Sequence, residues 1–244
     1  MARDTTAALI VIGNEILSGK VVDTNSSFLA RELRELGVSL RQVVVIPDEV
    51  DVIAKVVAAY QPAFEVVFTS GGVGPTHDDV TIAGVAKGLG RRVVRHPAIE
   101  GKLREYFGAE IDDARLKMAE VVDGTELLFG GNLGFPTLRV ENLYILPGIP
   151  ELFREKFGAI RQRFATDPFY LRAIYARASE TALAAFMQRT LEAFPAVLMG
   201  SYPKLNDAEY RVRITLESKD QHDVEAAFQA LLAMLPPSAV VRTE

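Results

Sequence analysis

The chain has 244 residues, 49% hydrophobic and 24% charged, which is enough to bury a substantial core and suits one large domain or two modest ones. It contains no cysteine, so disulfide frameworks, thiolate zinc sites and cysteine nucleophiles are all closed. A net charge of −5 argues against broad electrostatic binding to nucleic acid, and the apolar stretch in MARDTTAALIVIG is too short for a signal peptide or a membrane span. A soluble, cytoplasmic protein is expected.

From residue 7 onward, short β-rich apolar runs alternate with segments of helical period, the pattern of βαβ units around a mostly parallel sheet. AALIVIG is the first strand. NSSFLARELRELG reads as a helix capped by Asn25, with Phe28, Leu29, Leu33 and Leu36 on one face and Gly37 ending it. SLRQVVVI is the second strand, and DEVDVIAKVVAAY a helix with Asp48 at its N-cap. EVVFTS, a continuous apolar run, suits the middle of a covered sheet. The helix VTIAGVAKGLG, the strand RRVVRH and two helical segments, PAIEGKLREYFG and DDARLKMAEVV, follow; the basic RRVVRH reads as a solvated strand edge. TLRVENLYILPG reads as a hairpin turning at Glu141-Asn142, and PELFREKFGAIRQRF as the last helix of this part.

At ATDPF, Asp167-Pro168 stops that helix and the pattern restarts. Residues 169 to 244 then read as strand, helix, strand, strand, helix, strand. This βαββαβ order is the split βαβ, or ferredoxin-like, arrangement. Two domains are expected, a doubly wound α/β domain over 1–166 and a small α+β domain over 167–244.

Open α/β sheets bind ligands at the carboxyl ends of their strands. The groups that follow these strands are Gly13, Asn14 and Glu15, then Pro47 and Asp48, then Ser70 through Asp79, then Pro147, Gly148 and Pro150. All are expected on one edge. The third group, SGGVGPTHDD, is glycine-rich, with Gly71, Gly72 and Gly74 followed by Pro75 and Thr76. It lacks the lysine of a Walker loop and follows the third strand, which also excludes a dinucleotide fingerprint. Its glycines permit positive φ and would turn N–H groups toward an anion, while Asp78 and Asp79 sit at its rim. A phosphate about 4 Å from a carboxylate is repelled by roughly 4 kcal/mol at a surface-like dielectric. A divalent metal between them removes that repulsion and polarises a phosphoryl group, so a metal-assisted phosphoanhydride site is expected. Against this, one of the two aspartates, or Asp48, can serve only as a helix cap. Glu15 can be merely solvated, as can His77, and Lys117 with Arg115 reads as a surface pair or an anion clamp. The three histidines are too far apart in sequence for a metal motif.

The segments GNEILSGKVVDTNSSFLARELRELG, TSGGVGPTHDDVT, RLKMA and YILPGIP resemble the N-terminal domain of the CinA (competence/damage-inducible protein A) family, a relative of the MoaB/MogA molybdopterin-binding fold. The resemblance covers about residues 9 to 164 and implies a three-layer αβα domain. Residues 169–244 are similar to the small domain that follows in CinA, sometimes described as KH-like. That segment holds a single glycine, Gly200, so the G-x-x-G clamp of nucleic-acid-binding KH domains is absent and RNA binding is not expected. The resemblance implies a divalent-metal-dependent (Mg, Mn or Co) pyrophosphatase acting on ADP-ribose or FAD, with provision for a monovalent cation. Alternatively, it implies a binder or adenylylating enzyme for molybdopterin; a non-catalytic nucleotide-binding module is a third reading. Matching motifs residue by residue implies Asp79 and Asp48 as catalytic acids, while the charge argument makes Asp78, Asp79 and Glu15 the expected metal ligands. The implied binding groups are Gly13, Asn14, Glu15, Ser70, Gly71, Gly72, Gly74, Pro75, Thr76, Lys117, Pro147 and Gly148. The expected partner is a small nucleotide or pterin phosphate, with a homo-oligomer on the analogy of the fold. The usual glycine-rich NP-x-G-x-APG segment is replaced by GGNLGFPTLRV, and the deamidase domain of longer CinA proteins is not expected here.

Overall fold

A computed structural model describes residues 4–130, 134–205 and 208–244, so part of the GGNLGFPTLRV segment, at 131–133, lies outside the described residues. The chain divides into two compact units that meet between Thr166 and Asp167.

In the larger unit, β1 (Thr6–Ile12) leads into a single helical turn, α1 (Asn14–Leu17), where the sequence suggests only a loop. Then come α2 (Asn25–Glu35), β2 (Ser39–Ile46), α3 (Val50–Tyr60), β3 (Val66–Ser70) and α4 (Thr81–Gly88). An excursion follows, made of β4 (Val93–Arg95), α5 (Pro97–Phe107), α6 (Asp113–Lys117) and β5 (Glu120–Val122). The unit closes with β6 (Glu126–Leu128), β7 (Thr137–Val140), β8 (Leu143–Leu146) and α7 (Pro150–Ile160). The main sheet has the order β2-β1-β3-β8-β7-β6. β2, β1, β3 and β8 run parallel, and β7 runs antiparallel between β8 and β6. β7 and β8 form the expected hairpin, with Glu141 in the turn at φ 55°.

Alternation along the strands sends side chains to two cores. Leu9, Val11, Phe68 and Leu146 meet Leu29 and Leu33 of α2 and Phe153 and Phe157 of α7. Ile10, Ile12, Val67 and Ile145 meet Ile53 and Val57 of α3 and Val85 of α4. The result is a three-layer αβα arrangement.

Besides α1, two elements differ from the sequence reading. The segment DDARLKMAEVV is helical only to Lys117, and its end becomes β5, which pairs with β4 outside the main sheet. Its apolar residues Ala119 and Val121 join Ile99 and Leu103 in a satellite core, which rewards extended pairing over further helix. The three-residue β6 carries no periodicity of its own and exists because β7 offers it an antiparallel partner.

The smaller unit runs β9 (Tyr170–Ala176), α8 (Glu180–Ala193), β10 (Leu198–Pro203), β11 (Val212–Ser218), α9 (Gln221–Met234) and β12 (Val240–Thr243). Its sheet is antiparallel in the order β10-β11-β9-β12, the ferredoxin-like solution of the βαββαβ pattern. Ile174, Ile214 and Leu216 pack against Leu183 of α8 and Phe228 and Leu231 of α9. Among the described residues, no helix is long and apolar enough to cross a membrane.

Candidate functional site: a glycine-lined crevice

The ends of the four parallel strands are tied together by their own backbone. Gly13 N donates to Ile46 O at 3.1 Å, and Gly71 N to Leu146 O at 3.2 Å. Gly71 (φ 109°) and Gly72 (φ 63°) lie in the left-handed region that side chains disfavour. A Cβ at Gly71 would fall 2.1 Å from Ile12 O, so the loop passes directly over the end of β1. Thr81 holds it there: its N–H donates to Gly72 O at 3.0 Å and its hydroxyl to Gly71 O at 2.8 Å. The amides of Gly72, Val73 and Gly74 meet no protein acceptor among the described residues. Three adjacent unsatisfied donors on a fixed, glycine-shaped turn form a nest for an anion.

The helix caps fall elsewhere than expected. The N-cap of α4 is Val80, without a side-chain hydrogen bond, so neither Asp78 nor Asp79 caps that helix. Asp79 folds back over Gly74, whose absent Cβ would lie 2.7 Å from Oδ2, and accepts from Thr76 N at 2.8 Å. The Thr76 hydroxyl is shared between Asp79 and Asp78, reaching Asp78 Oδ1 at 2.6 Å. That hydrogen bond, aided by His77 and Lys117, holds the Asp78 carboxyl below the usual aspartate range. Lys117 is no surface pair with Arg115: its ammonium donates to Thr76 O, bracing the loop, while Arg115 bonds Asp112. The His77 side chain is 98% exposed, and His96 caps α5, its Nδ1 accepting from Ala98 N.

Asp48 also leaves its expected post. The N-cap of α3 is Glu49, and Asp48 Oδ2 instead accepts from Asn14 N at 2.7 Å, capping the single turn that carries Glu15. A short turn has only unpaired amides to offer, so a carboxylate from the next strand end supplies its cap. Asn25, expected as the cap of α2, is buried, and Thr24 takes the N-cap position. Asp23 accepts from the amides of Asn25 and Ser26 at 3.0 and 3.1 Å. Asn25 is thereby free to bridge the crevice floor, donating from Nδ2 to Ser70 Oγ at 2.9 Å and to Gly148 O at 2.8 Å.

A cavity of about 860 Å³ opens above these groups. Of the residues singled out in the sequence, Glu15, Gly71, Gly72, Gly74, Asp79, Pro147 and Gly148 line it together. Ser70 and Asn25 line a small neighbouring cavity instead. Gly13, Asn14, Asp48, Pro75, Thr76, Asp78 and Lys117 lie outside the large cavity wall, with Asp48 bonded to the turn that bears Glu15 and Lys117 to the loop that bears Asp79. In particular, Asp78 is exposed and takes no place beside Glu15 and Asp79.

The rest of the wall escaped sequence reasoning. It is apolar and aromatic, with Ile99, Tyr106, Phe107 and Met118 from the excursion, Phe135 and Leu138 around β7, and Leu152 on α7. One cation stands in it, Lys156, donating to Phe135 O at 2.9 Å and Pro136 O at 2.8 Å. The only available sequence signal was its spacing: Leu152 and Lys156 form a stripe beside the core residues Phe153 and Phe157.

The donor set fits a hard divalent cation such as Mg²⁺. Glu15 and Asp79 offer carboxylate oxygens to one cavity, and such ions are commonly held by one or two carboxylates, with water and phosphate completing the shell. Asn25 Oδ1 is buried and has no hydrogen-bond partner among the described residues. The tight group Asp220, His222 and Asp223 lies in the smaller unit, where Asp220 is already committed as the cap of α9.

Comparison with known proteins follows the two units. Residues 8–165 match the family described as probable molybdopterin binding domain, and residues 168–244 match the FAD synthase middle domain. A probable FAD synthase of Caenorhabditis elegans is 32% identical over 96% of this chain but 51% of its own length, so the chain spans about half of that relative. Protein TK1472 of Thermococcus kodakarensis is 35% identical over 81% of this chain and 85% of its own. The crystal structure of CinA from Thermoplasma acidophilum, a protein of unknown function, superposes with a TM-score of 0.61 at 30% identity, covering 66% of this chain and 98% of that one. The chain belongs to the probable molybdopterin-binding domain family, with a MoaB/MogA-like fold and a close likeness to CinA.

Proposed function

We propose that the crevice hydrolyses a nucleotide pyrophosphate bond of the FAD or ADP-ribose type with the help of a divalent cation. One observation carries this reading: Gly72, Val73 and Gly74, whose amides have no protein acceptor among the described residues, line the same cavity as Asp79 and Glu15. The amides take phosphate oxygens. The two carboxylates would repel that phosphate, and Asp79 and Glu15 would hold the cation that reconciles them. When bound, that ion neutralises charge and polarises the phosphoryl group. Asp79, its position set by Thr76 N, would orient the attacking water and take its proton through the carboxylate oxygen not engaged with the ion; as the water oxygen bonds one phosphorus, the bridging P–O bond breaks and the other phosphate leaves with the bridging oxygen. Asp48 acts at one remove, fixing Glu15 by capping the turn that bears it. The match of the second unit to a FAD synthase middle domain supports a nucleotide substrate.

Asp79→Asn tests this directly. The amide oxygen can still accept from Thr76 N, so the loop keeps its shape and only the charge is lost. Turnover of FAD or ADP-ribose with Mg²⁺, Mn²⁺ or Co²⁺ should fall at least about 100-fold, while thermal unfolding is unchanged. Undiminished turnover would sink the mechanism. A second reading, binding or adenylylation of molybdopterin, is favoured by the family match over residues 8–165. Co-purifying pterin fluorescence, or ATP-dependent adenylylation of a pterin without pyrophosphate hydrolysis, would select it.

A further inference from the structure

Thr81, the first residue of α4, is fully buried and commits both of its donors to the glycine loop. Its hydroxyl donates to Gly71 O at 2.8 Å and its N–H to Gly72 O at 3.0 Å. The first amide of a helix has no acceptor within the helix, and a threonine hydroxyl commonly bonds a carbonyl one turn back along its own chain. Here both reach into the loop instead, and they act on consecutive peptide planes. Both peptides are trans. In a trans peptide the carbonyl of one residue and the N–H of the next point to opposite sides of a rigid plane. With the Gly71 carbonyl turned to Thr81, the Gly72 N–H points the other way. The Gly72 carbonyl, held by the Thr81 amide, does the same for the N–H of Val73. Gly72 and Val73 line the cavity and Thr81 does not, so the side away from Thr81 is the open one. These are two of the three loop amides without a protein acceptor among the described residues.

Glycine by itself does not fix this arrangement. Gly71 and Gly72, both at positive φ, belong to the residue type with the widest choice of backbone conformations, so an untethered loop could turn either side of its peptides to the cavity. Turned over, it would present carbonyl oxygens, which repel a phosphate. The tether therefore sets the polarity of the loop. Its fit is close: a Cβ at Gly72 would fall 2.4 Å from Thr81 Oγ1, so the hydroxyl fills the space that a side chain there would take. Branching at Cβ restricts χ1 of a buried threonine and keeps the hydroxyl aimed.

We infer that Thr81 is a positioning residue: its hydroxyl and amide lock the peptides after Gly71 and Gly72 with their N–H groups toward the cavity, and this sets the affinity of the loop for phosphate. It rests on the reading of the crevice as a nucleotide pyrophosphate site, and Thr81 acts through the loop alone.

The probe is methylenediphosphonate, a pyrophosphate mimic whose P–C–P bridge water does not cleave, titrated with Mg²⁺ into the full chain and its variants by calorimetry. Thr81→Val keeps the branched shape and the main-chain N–H and deletes the hydroxyl. It should weaken the probe by about 10-fold, the upper range for one hydrogen bond. Thr81→Ser restores the hydroxyl and should bind within about twofold of the unaltered chain. Thr69→Val, in β3, controls for disturbance of the core, because Thr69 is equally buried and its hydroxyl has no partner; affinity should not move. Mn²⁺ bound without the probe, followed by EPR, should be unchanged in Thr81→Val, since Asp79 and the turn that bears Glu15 keep their own hydrogen bonds. Unchanged affinity in Thr81→Val would overturn the inference. So would an equal loss in Thr81→Ser or Thr69→Val, or a parallel loss of Mn²⁺, each of which would make Thr81 ordinary core.

NMR of the unaltered protein does not depend on any variant folding. The amide protons of Gly72 and Val73 should move downfield as the probe is added, while that of Thr81, already bonded to Gly72 O, should stay. In Thr81→Val the response of Gly72, whose peptide loses its tether, should shrink more than that of Val73, whose peptide is still held by the main-chain N–H at position 81. No movement of either amide in the unaltered chain would overturn both this inference and the anion reading of the loop. Undiminished turnover in Asp79→Asn, alongside the expected losses of affinity, would refute the catalytic reading and leave the role of Thr81 standing.

Discussion

The carboxyl edge of the large domain and the sheet of the small domain are both rich in polar and aromatic side chains, yet they spend them differently. In the small domain, Asp220 accepts from the amides of His222 and Asp223, and Ser179 caps α8. Tyr175 lies under the Arg242 guanidinium at 3.4 Å and donates to Glu244 Oε2 at 2.7 Å. Its described residues include none at positive φ. The buried atoms left without a hydrogen-bond partner, Ser201 Oγ, Arg213 Nε and Arg172 Nε, do not converge: Arg213 faces away from the other two across the register, and Arg172 stands 3.3 Å from Glu225. At the crevice, by contrast, two strained glycines, three unbonded amides, two carboxylates and one under-compensated ammonium converge on a single space. Polar density alone does not mark a site. Hydrogen-bonding capacity that the fold holds open, at the cost of backbone strain, does.

Glycine substitution puts the largest strain on that contrast. Gly71→Ala would force a side chain into φ 109° with its Cβ 2.1 Å from Ile12 O, a backbone atom that cannot step aside. A loss of about 3 kcal/mol or more is expected in urea unfolding of the full chain. Gly200→Ala, in β10, would meet only the ring of Tyr202, which is 54% exposed and free to swing outward. It should change stability by no more than about 0.5 kcal/mol. Comparable losses at the two positions would show that the crevice glycines are ordinary, and the contrast would collapse.

What the sequence made legible follows the same line. The buried parallel strands announce themselves as apolar runs, as in EVVFTS, and the hairpin by its turn at Glu141-Asn142, because both signals are local. The gathering of Gly13, Gly71 and Gly148 on one edge follows from parallel strands alone. The capping roles of Asp48 and Asn25 were misjudged because each side chain turns to a partner distant in the chain, Asn14 for one, Ser70 and Gly148 for the other. Propensity describes a residue beside its own helix and is silent on a better acceptor or donor across the fold. Lys156 was invisible for a related reason: on an amphipathic helix a lysine next to an apolar stripe reads as solvated, and only the fold of the 135–136 segment reveals what it faces.

Asn25 offers an intermediate test, since it ties the crevice floor together instead of shaping its opening. Asn25→Ala removes the donors to Ser70 Oγ and Gly148 O and strips the buried Ser70 hydroxyl of its Asn25 partner. Thermal unfolding should report a loss of about 2 kcal/mol. It should also loosen the edge, so amide exchange at Gly71 and Gly148 should quicken more than at Leu9 or Val67 in the sheet centre. A uniform change across the sheet would mean that Asn25 is ordinary core and not a brace of the site.

The smallest effect belongs to Asp78, and it separates the loop's rim from its working face. Its hydrogen bond from Thr76 and the nearby His77 and Lys117 favour the ionised form, so its folded pKa lies below that of the unfolded chain. The sign follows: the carboxylate supports the fold fully above the ordinary aspartate value of about 3.9, and that support is lost as pH falls through the depressed folded value. Carbon-detected NMR titration should therefore place the Asp78 midpoint below that of a solvated aspartate. Removing the hydroxyl in Thr76→Val should bring it back up, because the largest cause has been deleted while His77 and Lys117 remain. Asp78→Asn should leave turnover nearly intact, since Asp78 is exposed and stands outside the cavity wall that Asp79 shares with Glu15. A collapse of turnover in Asp78→Asn equal to that in Asp79→Asn would return Asp78 to the metal site and erase the distinction between rim and face.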